Sequence, residues 1–408
     1  MNGTDSSQQG TEQARIHLGR LQELAVLFLK LGAISFGGPA AHIALIETEI
    51  VRKREWTTRQ QFLDMVGAAN LIPGPTSTET AITVGFVRAG WPGLCVAGAS
   101  FILPAALITG AFAWAYVRFG SLPQAASVLG GIKPAVLAVI VIAIWRLGKT
   151  AVKDAGLGLL GTFALAAFLS GLNLNPILIL FGGGLLGMFA RRASSAGTGV
   201  PLTTVPRKIW FPSSLRLAGY AASGSIAAGA IALRPSTSQI GLFFLKVGAV
   251  LYGGGYVLLA FLEQGLVQQH AWLTRQQLLD AVAIGQFTPG PVLSTATFIG
   301  YILGGVPGAV VATAGIFLPS FFYVALLAPV LFQLRQSVWI AAFLDSVNAC
   351  AVALMAGVTV RLGIDALRGW PAWLIAVASL AILLRWKISP AWTVLGGGVA
   401  GLLLALIR

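Results

Sequence analysis

Two stretches decide how this chain is read: NLIPGPTSTET (Asn70 to Thr80) and QFTPGPVLSTAT (Gln286 to Thr297). Each sets a Pro-Gly-Pro in an apolar run and follows it with hydroxyl side chains. Proline removes a backbone donor and clashes with the preceding turn. It also pushes the residue before it out of helical geometry, so Pro-Gly-Pro stops a helix rather than bending it. Proline suits the first turn of a new helix as well. In hydrocarbon such a break leaves amides and carbonyls unpaired at roughly several kcal/mol each, tolerable only where protein or a water-filled cavity surrounds them. A helix starting after Pro75 turns free N–H groups and a positive dipole end toward that place, and Thr76, Ser77 and Thr78 add hydroxyl donors, which suits an anion. A lone proline in such a setting reads as a kink; its duplication reads as a site.

The setting is a membrane. Of 408 residues, 56% are hydrophobic and 10% charged, with mean hydropathy +0.83; soluble domains carry about a quarter charged residues. Apolar stretches long enough to cross about 30 Å of hydrocarbon recur almost from end to end. This leaves no room for a soluble catalytic domain. Residues 1–22 are polar and read as a short tail rather than a secretory signal. The 27 Lys and Arg against 13 Asp and Glu give +14. The basic residues sit in short connections, where they fix orientation, so no nucleic-acid partner is expected. Cys95 and Cys350 lie in apolar context, and His17, His42 and His270 stand far apart. Neither a disulfide framework, a metal site nor a cofactor is indicated.

Shifting the sequence by 216 positions lays FLKLGAISFGG (from Phe28) on FLKVGAVLYGG (from Phe244), and WTTRQQFLDMV on WLTRQQLLDAV. Between residues 28 and 75, 21 of 48 positions match; beyond, the offset becomes 215. Each half has six apolar segments. Between them lie a basic stretch (Arg191 to Arg216) and one more apolar segment (Leu217 to Leu233), whose single crossing would turn the second half upside down. The connection VRKREWTTRQ is basic where VQQHAWLTRQ is nearly neutral, as opposite orientation predicts. The expected fold is an all-α polytopic membrane protein of two homologous inverted-topology repeats with interrupted or re-entrant helices: a tail at 1–22, repeats at 23–190 and 240–408, and a linker with an orienting helix at 191–239. Re-entry of the GGP and PGP segments places the basic clusters inside better than full crossing does.

The anion-binding candidates follow from the breaks: Gly37 and Gly38, Asn70, Pro73, Gly74, Pro75, Thr76 and Ser77 in the first half. Gly253, Gly254, Gln286, Pro289, Gly290, Pro291 and Ser294 are their partners in the second. Lys30 and Lys246 recur within apolar runs, each before a glycine break, and either lend positive charge to the path or only snorkel to the interface. Glu79, just after a helix start and with Thr295 rather than an acid as its counterpart, is the proton-coupling candidate. Asp64, Asp280, Glu47 and Glu263 read as packing ion pairs, and Lys133 or its counterpart Asn348 as a donor to an oxyanion. GLGLLG (156–161) and LGKT (147–150) mimic nucleotide motifs but lack the required strand and glycine, so no nucleotide motor is encoded. No nucleophile with a nearby base points to an enzyme.

The pattern FLKLGAISFGGP…EWTTRQQFLDMVGAANLIPGPTSTE, with its repeat FLKVGAVLYGGGY…WLTRQQLLDAVAIGQFTPGPV, resembles the chromate ion transporter family in its long, two-domain form. The resemblance spans residues 24 to 407. It implies multi-pass residence in the bacterial inner membrane and efflux of chromate driven by the proton motive force, with sulfate as a competing mimic. Import or exchange of sulfate or another anion on the same scaffold is the alternative, and a homo-oligomer stays open. The halves differ at Asn70 against Gln286 and at Pro39 against Gly255, so their roles need not be equal.

Overall fold

The computed structural model describes residues 4–36, 38–120, 122–170, 174–196, 235–252, 255, 257–327, 337–386 and 388–407. Among these the chain is helical, with no strand. The first half comprises α1 (Thr4–Ile34), α2 (Pro39–Glu47, widened into a π turn at Thr48–Lys53), α3 (Arg59–Ala69), α4 (Thr76–Phe119), α5 (Pro123–Ala151), α6 (Ala155–Leu169) and α7 (Pro176–Ala196). The second comprises α8 (Thr237–Val250), α9 (Leu258–Leu262, continued by a π turn at Glu263–Gln269), α10 (Arg275–Phe287), α11 (Thr295–Leu327), α12 (Val338–Ala366), α13 (Trp370–Arg385) and α14 (Pro390–Ile407). By length and composition the stretches Thr76–Phe119, Ala125–Ala151, Val292–Leu327 and Trp339–Ala366 are apolar enough to cross a membrane, the first and third being two arms joined at Ala89–Gly90 and Gly304–Gly305. Trp91, Trp145, Trp370 and Trp392 are exposed on the outside, as an aromatic belt requires. Most of the linker expected at 191–239, including Leu217 to Leu233, lies outside the described residues.

The chain does break at both Pro-Gly-Pro sequences. α3 starts with a capping box, Thr58 accepting from the Gln61 amide and Gln61 reaching back, and ends at Asn70. Thr274 and Gln277 build the same box on α10, so the repeated T-x-x-Q sets where both helices begin. Gly74 (φ 139°) and Gly290 (φ 87°) then adopt left-handed backbone, which their neighbouring prolines cannot.

Each break turns the chain back on itself. The Arg88 guanidinium lies 4.7 Å from the centre of the Trp56 ring and 3.2 Å from Glu23. The start of α3 and the outer end of the first arm of α4 (76–88) are therefore side by side. α1 and α2 likewise turn back on each other: Lys30 in α1 reaches Glu49, in the π turn that continues α2, at 3.4 Å. α4 reverses at Ala89–Gly90. Its arms pack so closely that a Cβ on Gly85 would strike the Gly93 carbonyl, and the reverse. The second half repeats this with a reversal at Gly304–Gly305 and contact between Gly300 and Gly308.

The two sets of hairpins approach from opposite ends. The first half's open beside residue 91, where the second arm of α4 (91–119) begins. The first arm of α11 runs in step with that second arm, since Thr109 meets Ser294 at 3.2 Å and Tyr116 meets Phe298 with ring centres 5.3 Å apart. Its outer end therefore points toward Phe119. The tips meet in the middle through a reciprocal pair of backbone bonds. The Gly74 amide donates to Leu251 O at 2.7 Å, and the Gly290 amide to Ser35 O at 2.8 Å. Leu251 is the repeat counterpart of Ser35, as Gly290 is of Gly74. Arg52, Lys53, Arg54, Arg59, Arg88 and Lys153 gather at the first half's open end, Arg118, Arg275 and Arg368 at the other.

The close Gly85–Gly93 approach yields a test. Gly85→Ala should destabilise the detergent-solubilised protein by about 1–3 kcal/mol through overpacking, read as a lower thermal midpoint. Gly130→Ala, with open space around the added carbon, should cost well under that.

Candidate functional site

A cavity of about 580 Å³ reaches from the first half's open end to the tip of its Pro-Gly-Pro hairpin. One wall is a stripe of α5: Val139, Ile142, Ala143, Arg146, Leu147 and Thr150, ending at Lys153. At 1.5 Å per residue this is about 20 Å of helix. The floor is Asn70, Ile72, Gly74 and Thr76, and Tyr252, Asn348 and Asp345 close the sides. Asn70 is exposed although it sits at the hairpin tip, so the cavity admits water to the middle of the protein. Lys153 pairs with Asp345 at 2.7 Å across the two halves near the opening. Arg146 is exposed, lines the cavity, and has no carboxylate within ion-pair distance among the described residues.

The floor is built for accepting an anion. Thr76 donates to Asn70 Oδ1 at 3.1 Å, which turns the Asn70 amide nitrogen outward as a donor. Pro75 caps α4 without a side-chain bond, and the Thr76 and Ser77 amides take no backbone acceptor. The expected supply of free amides is smaller than the break alone suggests, because Gly74 and Gly290 spend theirs on the opposite half's carbonyls. Ser77 meets His42 Nδ1 at 3.2 Å, and His42 Nε2 lies 3.1 Å from Ser35 O. A carbonyl only accepts, so in the neutral ring Nε2 holds the proton and Ser77 donates to Nδ1.

The second half's tip differs. Gly38, Gln286 and Gly290, with Ser35, His42, Thr288 and Val292, surround a space of only about 10 Å³, room for a single water at most. Ser294 is buried and accepts from Thr109. The offset of 215 set by the paired glycines makes Ser294, not Thr295, the counterpart of Glu79. Pro73, Pro75, Pro289 and Pro291 form the breaks. Gly37, Gly253 and Gly254 lie outside the described residues.

Lys30 and Lys246 do not line either space. Both are exposed. Lys30 joins Lys53 and Arg54 around Glu49, whose carboxyl is held down to about 2 mainly by the Lys53 hydrogen bond, against the cost of desolvation. Glu79 is fully buried: Oε1 lies 3.4 Å from Ser320 and Oε2 has no hydrogen-bond partner. A Cβ on Gly74 would collide with that carboxyl. Glu47 and Glu263 pair with the arginines of the repeated capping box, Arg59 at 3.5 Å and Arg275 at 3.8 Å, as packing partners. Lys133 is buried with its ammonium 2.9 Å from Asp280, whose other oxygen accepts from Tyr116 at 2.9 Å. It thus braces α5, α10 and α4 and does not face the cavity, whereas Asn348 does. Sequence reading missed Arg146, although WRLGK (145–149) against VRLGI (360–364) marks it as repeated. Among the described residues no three His, Cys, Asp or Glu cluster in a way that would hold a metal.

Apolar helices, returning hairpins and a cavity that runs from one end to the Pro-Gly-Pro tip define a polytopic membrane protein of the transporter type. The chain belongs to the Chromate transporter family, whose profile matches it twice, over residues 22–188 and 238–402. It is 34% identical over 385 residues to the chromate transport protein of Cupriavidus metallidurans, covering 94% of this chain and 92% of that one. It is 32% identical over 371 residues to the probable chromate transport protein of Synechococcus elongatus, covering 90% of each, and 29% identical over 392 residues to the chromate transport protein of Pseudomonas aeruginosa, covering 93% and 91%. No solved structure matches.

The buried Lys133–Asp280 pair predicts a sharp mutational asymmetry. Lys133→Met leaves a carboxylate uncompensated and should destabilise by about 3–5 kcal/mol, while the double change Lys133→Met with Asp280→Leu should cost much less. Thermal unfolding of the three proteins in one detergent checks this.

Proposed function

We propose that this protein is a secondary transporter that exports chromate from the cytoplasm across the bacterial inner membrane, held here with its cavity open to the cytoplasm. The observation that carries the reading is the one-sided cavity: open at the basic end, floored by the Pro-Gly-Pro tip, and replaced on the other half by a nearly closed space. The positive-inside rule assigns the end with Arg52, Lys53, Arg54 and Arg88 to the cytoplasm. Two homologous halves would then enter the membrane from opposite faces, the inverted arrangement that lets one substrate site open alternately to each side.

Chromate is a tetrahedral dianion with four acceptor oxygens. The Asn70 amide nitrogen, the first amides of α4 and Arg146 offer donors and positive charge to such an ion in place of its water, with the Thr76 hydroxyl spent on orienting Asn70. A dianion leaving a negative interior gains about 2.3 kcal/mol per charge per 100 mV, so membrane potential favours export. Glu79 supplies a place for a coupling proton. It is buried beside the tip, with no cation within ion-pair distance among the described residues, and Gly74 packs on it, so movement of the tip changes its surroundings.

Everted vesicles carrying the protein should accumulate chromate when energised, and sulfate in excess should compete. Glu79→Gln should keep chromate flux driven by membrane potential but lose its response to a proton gradient. Chromate accumulation in right-side-out vesicles instead, or sulfate uptake indifferent to chromate, would support the importer or exchanger reading.

A further inference from the structure

The repeat places two arginines at equivalent positions. Arg146-Leu147-Gly148 lies on Arg361-Leu362-Gly363 at the offset of 215, and the structure holds the two side chains in opposite states. Arg146 stands exposed in the open cavity, free of any carboxylate among the described residues. Arg361 is caged. Its guanidinium stacks 4.5 Å from the centre of the Phe168 ring, Nη2 donates to Phe168 O at 2.9 Å, and Nη1 lies 3.7 Å from the fully buried Glu263.

The components of that cage exist in both halves. Glu47 is the counterpart of Glu263, and Leu383 the counterpart of Phe168 in the aligned LAAFL (165–169) and LAILL (380–384). In the first half they do not cage the arginine: Glu47 keeps the repeated pair with Arg59, as Glu263 does with Arg275, but makes no ion pair with Arg146 among the described residues, and Leu383, which lines the same cavity as Arg146, offers no aromatic face. Caging therefore goes with the closed half and release with the open one. Arg361 also belongs to the end marked by the Arg275–Asp365 pair, 3.2 Å, opposite the end where the cavity opens.

We propose that Arg146 and Arg361 are a pair of alternating oxyanion-catching side chains, one for each face. Arg146 binds the tetrahedral dianion in the cytoplasm-facing cavity. When the halves exchange conformations, Arg146 closes onto Leu383 and Glu47, and Arg361 leaves Phe168 and Glu263 to face an equivalent cavity on the other side. A guanidinium suits both duties: its planar fork binds two oxygens of a tetrahedral anion, and when the anion has gone its flat face packs on an apolar side chain, the Phe168 ring for Arg361 and Leu383 for Arg146. Asp345 lines the same cavity but is held by Lys153, which limits its repulsion of an arriving anion. This inference rests on the transport reading above and assigns residues within it.

The test uses the full-length protein in sealed vesicles of defined orientation, with chromate and sulfate as probes. Arg146→Gln should raise the KM for chromate presented at the basic face at least tenfold, and Arg146→Lys should recover part of it. Arg361→Gln should raise KM at least tenfold for chromate presented at the opposite face, again with partial recovery by Arg361→Lys. In a chain with Cys95 and Cys350 replaced by Ser, Arg146→Cys should react with an anionic, membrane-impermeant methanethiosulfonate from the basic face, and sulfate should protect it. Arg361→Cys should react from the opposite face only during turnover. An unchanged KM for Arg146→Gln, or an Arg361→Cys that stays unreactive while transport proceeds, would overturn the pair. Wild-type vesicles that move neither anion would instead remove the transport reading.

Discussion

Everything in this fold depends on two backbone hydrogen bonds, Gly74 N–H to Leu251 O and Gly290 N–H to Ser35 O. A helix broken in an apolar interior leaves orphan donors and acceptors whose burial costs roughly several kcal/mol each. Neither half meets that cost alone. The carbonyl freed at the end of α1 or α8 takes the amide freed at the opposite half's Pro-Gly-Pro. The exchange works only because glycine at each tip adopts a left-handed backbone and carries no side chain: a Cβ on Gly290 would press on Ala105, one on Gly74 on Ser320 and Glu79. The same exchange explains why so much of the broken backbone is not offered to a ligand.

Symmetry of bonding does not bring symmetry of space. Where the first half places Asn70 and Thr76, the second places Gln286 and Val292, and the spaces they border differ from about 580 Å³ to about 10 Å³. Sequence differences at the tips account for part of this. The rest lies in how α5 and α12 stand relative to the hairpins, one with its arginine exposed in the cavity and the other with its arginine against Phe168. Under the transport proposal, the open first half and the closed second half would represent the two states that an inverted pair exchanges.

Much of the fold was legible in the sequence, because breaks and repeats are local. Pro-Gly-Pro, the doubled glycines and the offset of 216 located the hairpins, and the basic connection at Arg52 to Arg54 favoured their return over crossing. The site was less legible. Lys30 drew attention by its place before a glycine break, yet it points outward to Glu49, since spacing along a helix does not say which face meets the core. Arg146 carries the only guanidinium of the cavity, without an ion pair among the described residues, and nothing local in WRLGK separates it from a helix-end cation. The Lys133–Asp280–Tyr116 contact joins three elements 164 residues apart at its widest bond, which no local spacing encodes. T-x-x-Q, by contrast, is a local signal that marks the start of α3 and of α10 in both copies.

The central claim, that two sets of hairpins enter from opposite faces and meet tip to tip, has one direct measurement. Lys53→Cys and Gln269→Cys, both exposed at hairpin ends, are placed singly in a cysteine-free chain and exposed to an impermeant thiol reagent in right-side-out and in everted vesicles. The account predicts that Lys53→Cys reacts only in everted vesicles and Gln269→Cys only in right-side-out ones. Reaction of both from the same face would contradict it.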